Sequence, residues 1–391
     1  MRILIGADTY PPDVNGAASF GRRLATGLTA AHEVHVAAPA PSPASRTARR
    51  GGIVEHRVRS LPVLLRRGFR VCPPVGLDRI AGRILDTVRP DLVHVQSHVL
   101  LGRALLTAAR GHGIPVVATH HVMPENVSHH LPVRGVLRDR LHRRAWATAA
   151  RTLSGADLVT APTPWAAELV EAAGVRAPVR PISCGTDLSR FRAGTDTAAF
   201  RARYGVAHRP TITYVGRLDA EKNLDVLVHA LPAVRRRIPG AQLMLVGDGD
   251  RRRRLAALAR SHGVAGAVLL TGYVDDADLP AAYAAADVFV NPGTAELQSL
   301  VMLEAMASGL PVLGADSSAL HHLVREDHNG HLFPPADPAL LAERLVAVLA
   351  DPERAALMGK RSRALAERHD TADTVAAYDA VYHELVASPR C

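Results

Sequence analysis

What most constrains this chain is a regular alternation: short apolar runs of β type are separated, from end to end, by longer segments with helical periodicity. Phe20, Leu24 and Leu28, for example, recur at four-residue spacing and line one face of a helix. Strands are expected at Arg2–Asp8, His32–Pro39, Ile53–Val58, Asp91–Gln96, Pro115–Thr119, Asp157–Ala161 and Val179–Ser183. A second series follows at Thr211–Val215, Gln242–Val246, Val268–Thr271, Asp287–Asn291 and Pro311–Leu313. Such alternation builds parallel, doubly wound sheets, so the fold class is α/β. A chain of 391 residues exceeds what one core ordinarily organises, and the fresh series after Ser183-Cys184-Gly185-Thr186-Asp187 marks a seam. Two domains are expected: 1–188, joined by a tail helix within 371–391, and 189–370. The Pro-, Ser-, Ala- and Arg-rich stretch Pro39–Gly52 reads as a mobile surface loop.

Composition narrows the choice. Hydrophobic residues make up 48% but aromatics only 4%, an aliphatic interior that suits helix-covered sheets better than an aromatic-rich sandwich. Of 47 Lys plus Arg only Lys222 and Lys360 are lysine, leaving 45 arginines behind the formal charge of +10. That skew reads as coding bias. With no RRM, zinc-finger or basic-zipper pattern, nucleic acid is not an expected partner, although a basic surface still attracts phosphates and anionic lipid. Cys72, Cys184 and Cys391 form no CxxC and no disulfide framework, which fits a reducing cytoplasm. Met1-Arg2 leads directly into Ile3-Leu4-Ile5 without a signal-type apolar region, and no run of 18 apolar residues occurs. A cytoplasmic location is expected, with peripheral attachment to the inner face of the cell membrane left open.

The most specific segment runs from Asn291-Pro292-Gly293-Thr294-Ala295-Glu296 through Leu297-Gln298-Ser299-Leu300-Val301 to Glu304 and on to Gly309-Leu310-Pro311. A buried strand enters a Pro-Gly loop and then a helix, whose first-turn N–H groups and dipole make an anion site. Glu296 is placed to accept from sugar hydroxyls and Glu304 from ribose hydroxyls. Taken singly, either glutamate is an ordinary surface residue. Tyr214-Val215-Gly216-Arg217-Leu218-Asp219-Ala220-Glu221-Lys222 ends another strand with two cations. Arg217 is expected to point into a cleft beside Lys222, where both would stabilise the charge growing on a departing diphosphate without a metal. Gly247, after Leu245-Val246, and Tyr273-Val274, after Thr271-Gly272, end strands of the same sheet.

In the first half, Tyr10-Pro11-Pro12-Asp13-Val14-Asn15-Gly16-Ala17 links the first strand to a helix, and no G-x-G-x-x-G follows that strand. His120 and His121 end a later strand. With Glu125, His129 and His130 they invite a metal reading, but no ligand spacing such as H-E-x-x-H is present. Asp276-Ala277-Asp278 imitates a metal-binding D-x-D, yet it opens a helix, where acidic residues suit the dipole.

Taken together these segments resemble retaining glycosyltransferases of family 4, the large group that includes sucrose synthases and bacterial mannosyl- and glucosyltransferases. The likeness rests on Glu296, seven residues, Glu304 followed by Ala-Met-Ala-Ser-Gly-Leu-Pro-Val, on Gly216-Arg217 through Lys222, and on the Pro11–Gly16 loop. Ser299 stands where many relatives have glycine, and Ala17 where they have a second glycine. The resemblance implies a GT-B fold of two facing Rossmann-like domains, with a nucleotide diphosphate sugar in the cleft between them and no metal or other cofactor. His121, Glu296, Arg217 and Lys222 would be catalytic. Gly16, Gly247, Tyr273, Val274, Leu297, Gln298, Ser299, Leu300, Val301 and Glu304 would complete the donor site, and Asn15, His120, Glu125 and Arg138 would meet the acceptor.

The implied donor is GDP-mannose or UDP-glucose/UDP-GlcNAc. For the acceptor, a membrane glycolipid is favoured over a soluble sugar or natural product. Leu61–Val71 carries Arg66, Arg67 and Arg70 among apolar residues. Val133–Arg151 carries Arg134, Arg138, Arg140, Arg143, Arg144 and Arg151 against one acid, Asp139. Such basic amphipathic segments either lie on anionic membranes or are simply solvated. Other readings are a nucleotide-sugar epimerase, a phosphorylase with its pyridoxal on Lys222 or Lys360, and a non-catalytic nucleotide-sugar binding module.

Overall fold

The computed structural model describes residues 1–63, 70–123 and 135–388. The chain forms two compact units, Met1–Gly185 together with the segment from Thr371 onward, and Thr186–Asp370. The boundary falls slightly before the 188/189 read from the sequence.

The first unit holds β1 (Arg2–Gly6), β2 (Glu33–Pro39), β3 (Arg46–Arg50), β4 (Ile53–Val58), β5 (Leu61–Pro62), β6 (Arg70–Val71), β7 (Leu92–Val95), β8 (Val116–Thr119), β9 (Leu158–Ala161) and β10 (Val179–Pro181). Eight of these make one sheet in the order β10-β9-β8-β7-β1-β2-β4-β3, with β5 and β6 a separate pair. Ile3, Leu4, Ile5, Val93, Val116, Val117 and Ala118 are all fully buried, as strands covered by helices on both faces require.

One expectation is corrected here. Within Pro39–Gly52 the structure has a strand, β3, paired antiparallel with β4 at the sheet edge. Its Arg-Thr-Ala-Arg-Arg has no buried residue, so no apolar alternation announced it, and charged side chains suit an edge that must not pair further.

The second unit holds β11 (Thr211–Val215), β12 (Gln242–Val246), β13 (Val268–Gly272), β14 (Val288–Asn291), β15 (Val312–Ala315) and β16 (Gly330–Phe333). They form one parallel sheet, β13-β12-β11-β14-β15-β16. Sequence patterning misses β16. Its His331 is buried and bonded to Glu326, so the run lacks the continuous apolar signature of its neighbours.

Both sheets reverse their strand order at one place, β1 against β7 and β11 against β14. Loops leaving the carboxyl ends of strands at such switch points are where open α/β sheets bind ligands. The helix Thr371–Ala387 belongs to the first unit because it buries Tyr378 and Tyr382 there. The Tyr382 hydroxyl shares a hydrogen bond with His94 Nδ1 at 2.7 Å, and that of Tyr378 lies 3.0 Å from Thr160 Oγ1 and 3.2 Å from Thr119 Oγ1.

Candidate active site

The second unit's switch point is built from three polar side chains and one helix start. Asn291, the last residue of β14, accepts from Gly293 N at 3.0 Å and donates through Nδ2 to Ser299 Oγ at 2.9 Å and Glu296 Oε1 at 3.4 Å. Ser299 in turn is the N-cap of the helix Leu300–Ala307, its Oγ accepting from Met302 N at 3.3 Å. Leu300 and Val301, ahead of the first intrahelical bond, keep N–H groups directed along the helix axis. The loop is pinned from outside by Ser318 Oγ, which accepts from Glu296 N at 3.2 Å, and by Ala319 N, which donates to Glu296 O at 3.2 Å. The Ser299 side chain, standing where many relatives have glycine, therefore organises the loop.

Lys222 reaches across from the loop after β11, and its Nζ donates to Glu296 Oε1 at 2.8 Å. Arg217 is engaged within its own loop. Its guanidinium is ion-paired with Asp219 and with Glu221, the latter at 2.7 Å. Two cations thus face three carboxylates, Asp219, Glu221 and Glu296. The carboxylates outnumber the cations by one, so an incoming polyanion must displace carboxylate partners to reach Lys222 or Arg217. A cavity of about 460 Å³ opens beside this loop, lined by Asp219, Asn223, Asp225, Arg251 and Arg254 among others.

Glu304, in the body of the helix, accepts from the Tyr283 hydroxyl at 2.8 Å. Burial, reinforced by the Glu304 charge, pushes the Tyr283 phenol well above its ordinary value, which keeps it a donor. Burial likewise raises Tyr214, with the nearby Glu296 charge adding to the effect, and its hydroxyl donates to Arg217 O at 3.1 Å. Gly247 serves the backbone: at φ +130° it lies so close to Gly216 that a Cβ would sit 2.0 Å from the Gly216 carbonyl oxygen. Tyr273 is 57% exposed, whereas Val274 is buried in the unit's core. Leu297 and Gln298 are buried in the loop. Asp276 and Asp278 pair with Arg190 and Arg203.

At the first unit's switch point Asn15 is a helix N-cap, its Oδ1 accepting from Ala18 N at 2.9 Å, while its buried Nδ2 has no hydrogen-bond partner among the described residues. Gly16 is the exposed first residue of that helix. The preceding loop is held by Arg57, which donates to Pro11 O at 2.7 Å and stacks 5.0 Å from the Tyr10 ring centre. His121 contacts the Phe20 ring at 4.8 Å and Cys184 Sγ at 3.9 Å through Nδ1, and burial pushes it down to about 4. His120 is fully buried between His98 and Trp146, at ring distances of 5.6 and 5.3 Å. Neither nitrogen of His120 has a hydrogen-bond partner among the described residues, and burial lowers its pKa strongly. Arg138 is exposed on the helix Val136–Leu153. Glu125, His129, His130, Arg66, Arg67 and Arg134 lie outside the described residues.

Several side chains were missed by the sequence reading. Asn291 and Tyr283 orient the two glutamates. Gln96 and His98 follow β7, and Asp8, after β1, accepts from Leu101 N at 2.8 Å and Gly102 N at 3.1 Å. Position after a switch-point strand was the available signal for Asp8, Gln96 and His98. Nothing local marked Tyr283.

Comparison with known proteins identifies the family. The family model described as Glycosyltransferase Family 4 matches residues 14–190, and that described as Glycosyl transferases group 1 matches 209–351. A GDP-mannose-dependent alpha-mannosyltransferase of Mycobacterium tuberculosis is 31% identical over 373 residues, covering 93% of this chain and 92% of that protein. A GDP-mannose-dependent alpha-(1-6)-phosphatidylinositol monomannoside mannosyltransferase from the same species is 34% identical over 232 residues, 57% of this chain and 60% of the relative. Among solved structures, sucrose-phosphate synthase from Thermosynechococcus elongatus superposes with a TM-score of 0.82 at 23% identity, covering 99% and 100% of the two chains. The fold is GT-B, with two Rossmann-like units.

Proposed function

Because the chain belongs to glycosyltransferase family 4 and is a nucleotide-sugar glycosyltransferase, we propose that it is a retaining, metal-independent hexosyltransferase with GDP-mannose as donor. The observation that carries this reading is the Lys222–Glu296 pair at the β11/β14 switch point, beside the helix start at Leu300-Val301. The mannosyltransferase relative supports the choice of donor. Lys222, Arg217 and the helix start supply positive potential for a diphosphate, Glu296 accepts from sugar hydroxyls, and Glu304 accepts from the ribose. The acceptor oxygen bonds to the anomeric carbon on the face the diphosphate leaves. The carbon–oxygen bond to phosphate breaks, and the acceptor's proton passes to the departing phosphate oxygen. His121, neutral at pH 7, flanks the reacting sugar without adding charge.

The acceptor we favour is a glycolipid at an anionic membrane surface, reached from the cytoplasmic side. The helix Val136–Leu153 buries only Ala149, Ala150 and Leu153, and it exposes Val136 and Leu137 beside Arg138, Arg140 and Arg143. A surface of apolar and basic residues suits an interface rather than a core. No helix among the described residues is long and apolar enough to cross a membrane. Replacing Arg138, Arg143 and Arg144 by Ser is expected to reduce transfer to vesicle-borne phosphatidylinositol glycolipid while donor hydrolysis stays unchanged. Equal transfer by wild type and variant contradicts the lipid acceptor.

A further inference from the structure

The active-site loops leave the carboxyl edge of the first sheet, and a separate cluster gathers at its amino edge. His32 immediately precedes β2, while Asp379 and His383 lie one turn apart on the helix Thr371–Ala387 and share a face. His32 Nε2 is 2.6 Å from Asp379 Oδ1, and His383 Nε2 is 3.6 Å from the same oxygen. One ligand atom from each of the three lies within 4.8 Å of the others. We propose that His32, Asp379 and His383 form a binding site for a zinc-class divalent ion, which clips the C-terminal helix to the first sheet.

Geometry and charge both point this way. A tetrahedral ion with bonds of about 2.0–2.2 Å separates its ligands by roughly 3.4 Å, so small rotations of Asp379 and His383 complete three corners and leave the fourth to water. The His32 side chain is only 3% exposed and so is fixed in place, whereas His383 at 62% is free to move onto the ion. No Arg or Lys pairs with Asp379 among the described residues.

The contrast with the other dense cluster, Glu326, Asp327 and His331, is informative. There Arg344 takes Glu326 at 3.0 Å and Arg354 takes Asp327 at 2.7 Å, so the carboxylates are already neutralised by protein cations. Two imidazoles with one carboxylate select Zn²⁺, Co²⁺ or Ni²⁺ over the hard ions Mg²⁺ and Ca²⁺. The clip would act on packing. A Cβ on Gly27 would meet Val375 at 2.5 Å, so this helix lies hard against Gly16–Leu28, and it carries the Tyr378 and Tyr382 hydroxyls to β7, β8 and β9.

The test uses the untagged full chain, freed of metal by a chelator, then titrated with Zn²⁺ against a chromophoric competitor and with Co²⁺ for visible absorption. One saturable equivalent is expected, with a tetrahedral Co²⁺ spectrum and a melting temperature that rises with metal. His383→Ala and Asp379→Asn, both at accessible positions, are expected to bind at least about tenfold more weakly and to lose the metal-dependent rise. His331→Ala is expected to keep both. Absence of a stoichiometric site in the wild type, or a site that survives His383→Ala, overturns the proposal.

Discussion

Tyr283→Phe removes one oxygen and leaves the ring. Tyr283 is 0% exposed and packs edge-on against Phe191 at 5.6 Å and tilted against Phe289 at 6.1 Å, so phenylalanine fills the same space and opens no cavity. What disappears is the hydroxyl that donates to Glu304 Oε2 at 2.8 Å. Hydrogen bonds to charged groups contribute about 1.5–3 kcal/mol. Glu304 is partly accessible to water, which replaces some of the loss, so the lower figure of about 1.5 kcal/mol applies, roughly tenfold in an equilibrium. If Glu304 binds the donor's ribose, a carboxylate that has lost this hydrogen bond is ordered less well before the ligand arrives. The expected result is a donor KM raised about tenfold with kcat held within about twofold. A double-mutant cycle with Glu304→Gln should show coupling of about 1–2 kcal/mol in donor binding. Wild-type donor KM in Tyr283→Phe, alongside a clear defect in Glu304→Gln, would refute the positioning argument.

Further outcomes follow from other contacts. Gly247→Ala places a Cβ against the Gly216 carbonyl at a φ that L residues rarely adopt, so a stability loss above about 3 kcal/mol is expected in chemical denaturation; a loss under about 1 kcal/mol would show that the loops adjust freely. Burial pushes His56, His98 and His121 down to about 4 and His94 to about 3, against about 6.5 in the unfolded chain. Between those values the unfolded chain binds protons the folded chain refuses, so stability is full above about pH 6.5 and falls as pH drops toward 4. Asp8, Asp13 and Asp287, raised by burial, work in the opposite sense at the acid end but are fewer. A denaturation midpoint that stays constant from pH 7 to 4.5 would contradict the buried neutral histidines.

Much of the architecture was legible because parallel strands covered on both faces read as unbroken apolar runs, as in Ile3-Leu4-Ile5 and Leu243-Met244-Leu245-Val246. Strands that break this rule were not legible. β3 pairs through its backbone with charged side chains, and β16 buries a histidine. At the candidate site, the Glu296 to Glu304 segment and the Arg217–Lys222 loop stood out through their resemblance to family motifs, because each is contiguous in the chain. The partners that orient these groups come from distant elements. Tyr283 reaches Glu304 from another helix, and Ser318 pins the Glu296 loop from beyond β15. Asn15 shows a division that the sequence does not encode: its oxygen caps a helix, while its buried Nδ2 has no hydrogen-bond partner among the described residues. The ion pairs of Arg217 with its own loop depend on side-chain rotamers that no spacing rule encodes.

The central claim is that Glu296 and Lys222 serve sugar transfer from a nucleotide diphosphate donor. Its most direct test is nucleotide release from GDP-mannose, UDP-glucose and UDP-GlcNAc by metal-free wild type, Glu296→Ala and Lys222→Ala, with anomeric NMR of the product. The account predicts GDP release from GDP-mannose with an α-linked product, lowered at least about a hundredfold in both variants. Turnover unaffected by either substitution, or a β-linked product, would contradict it.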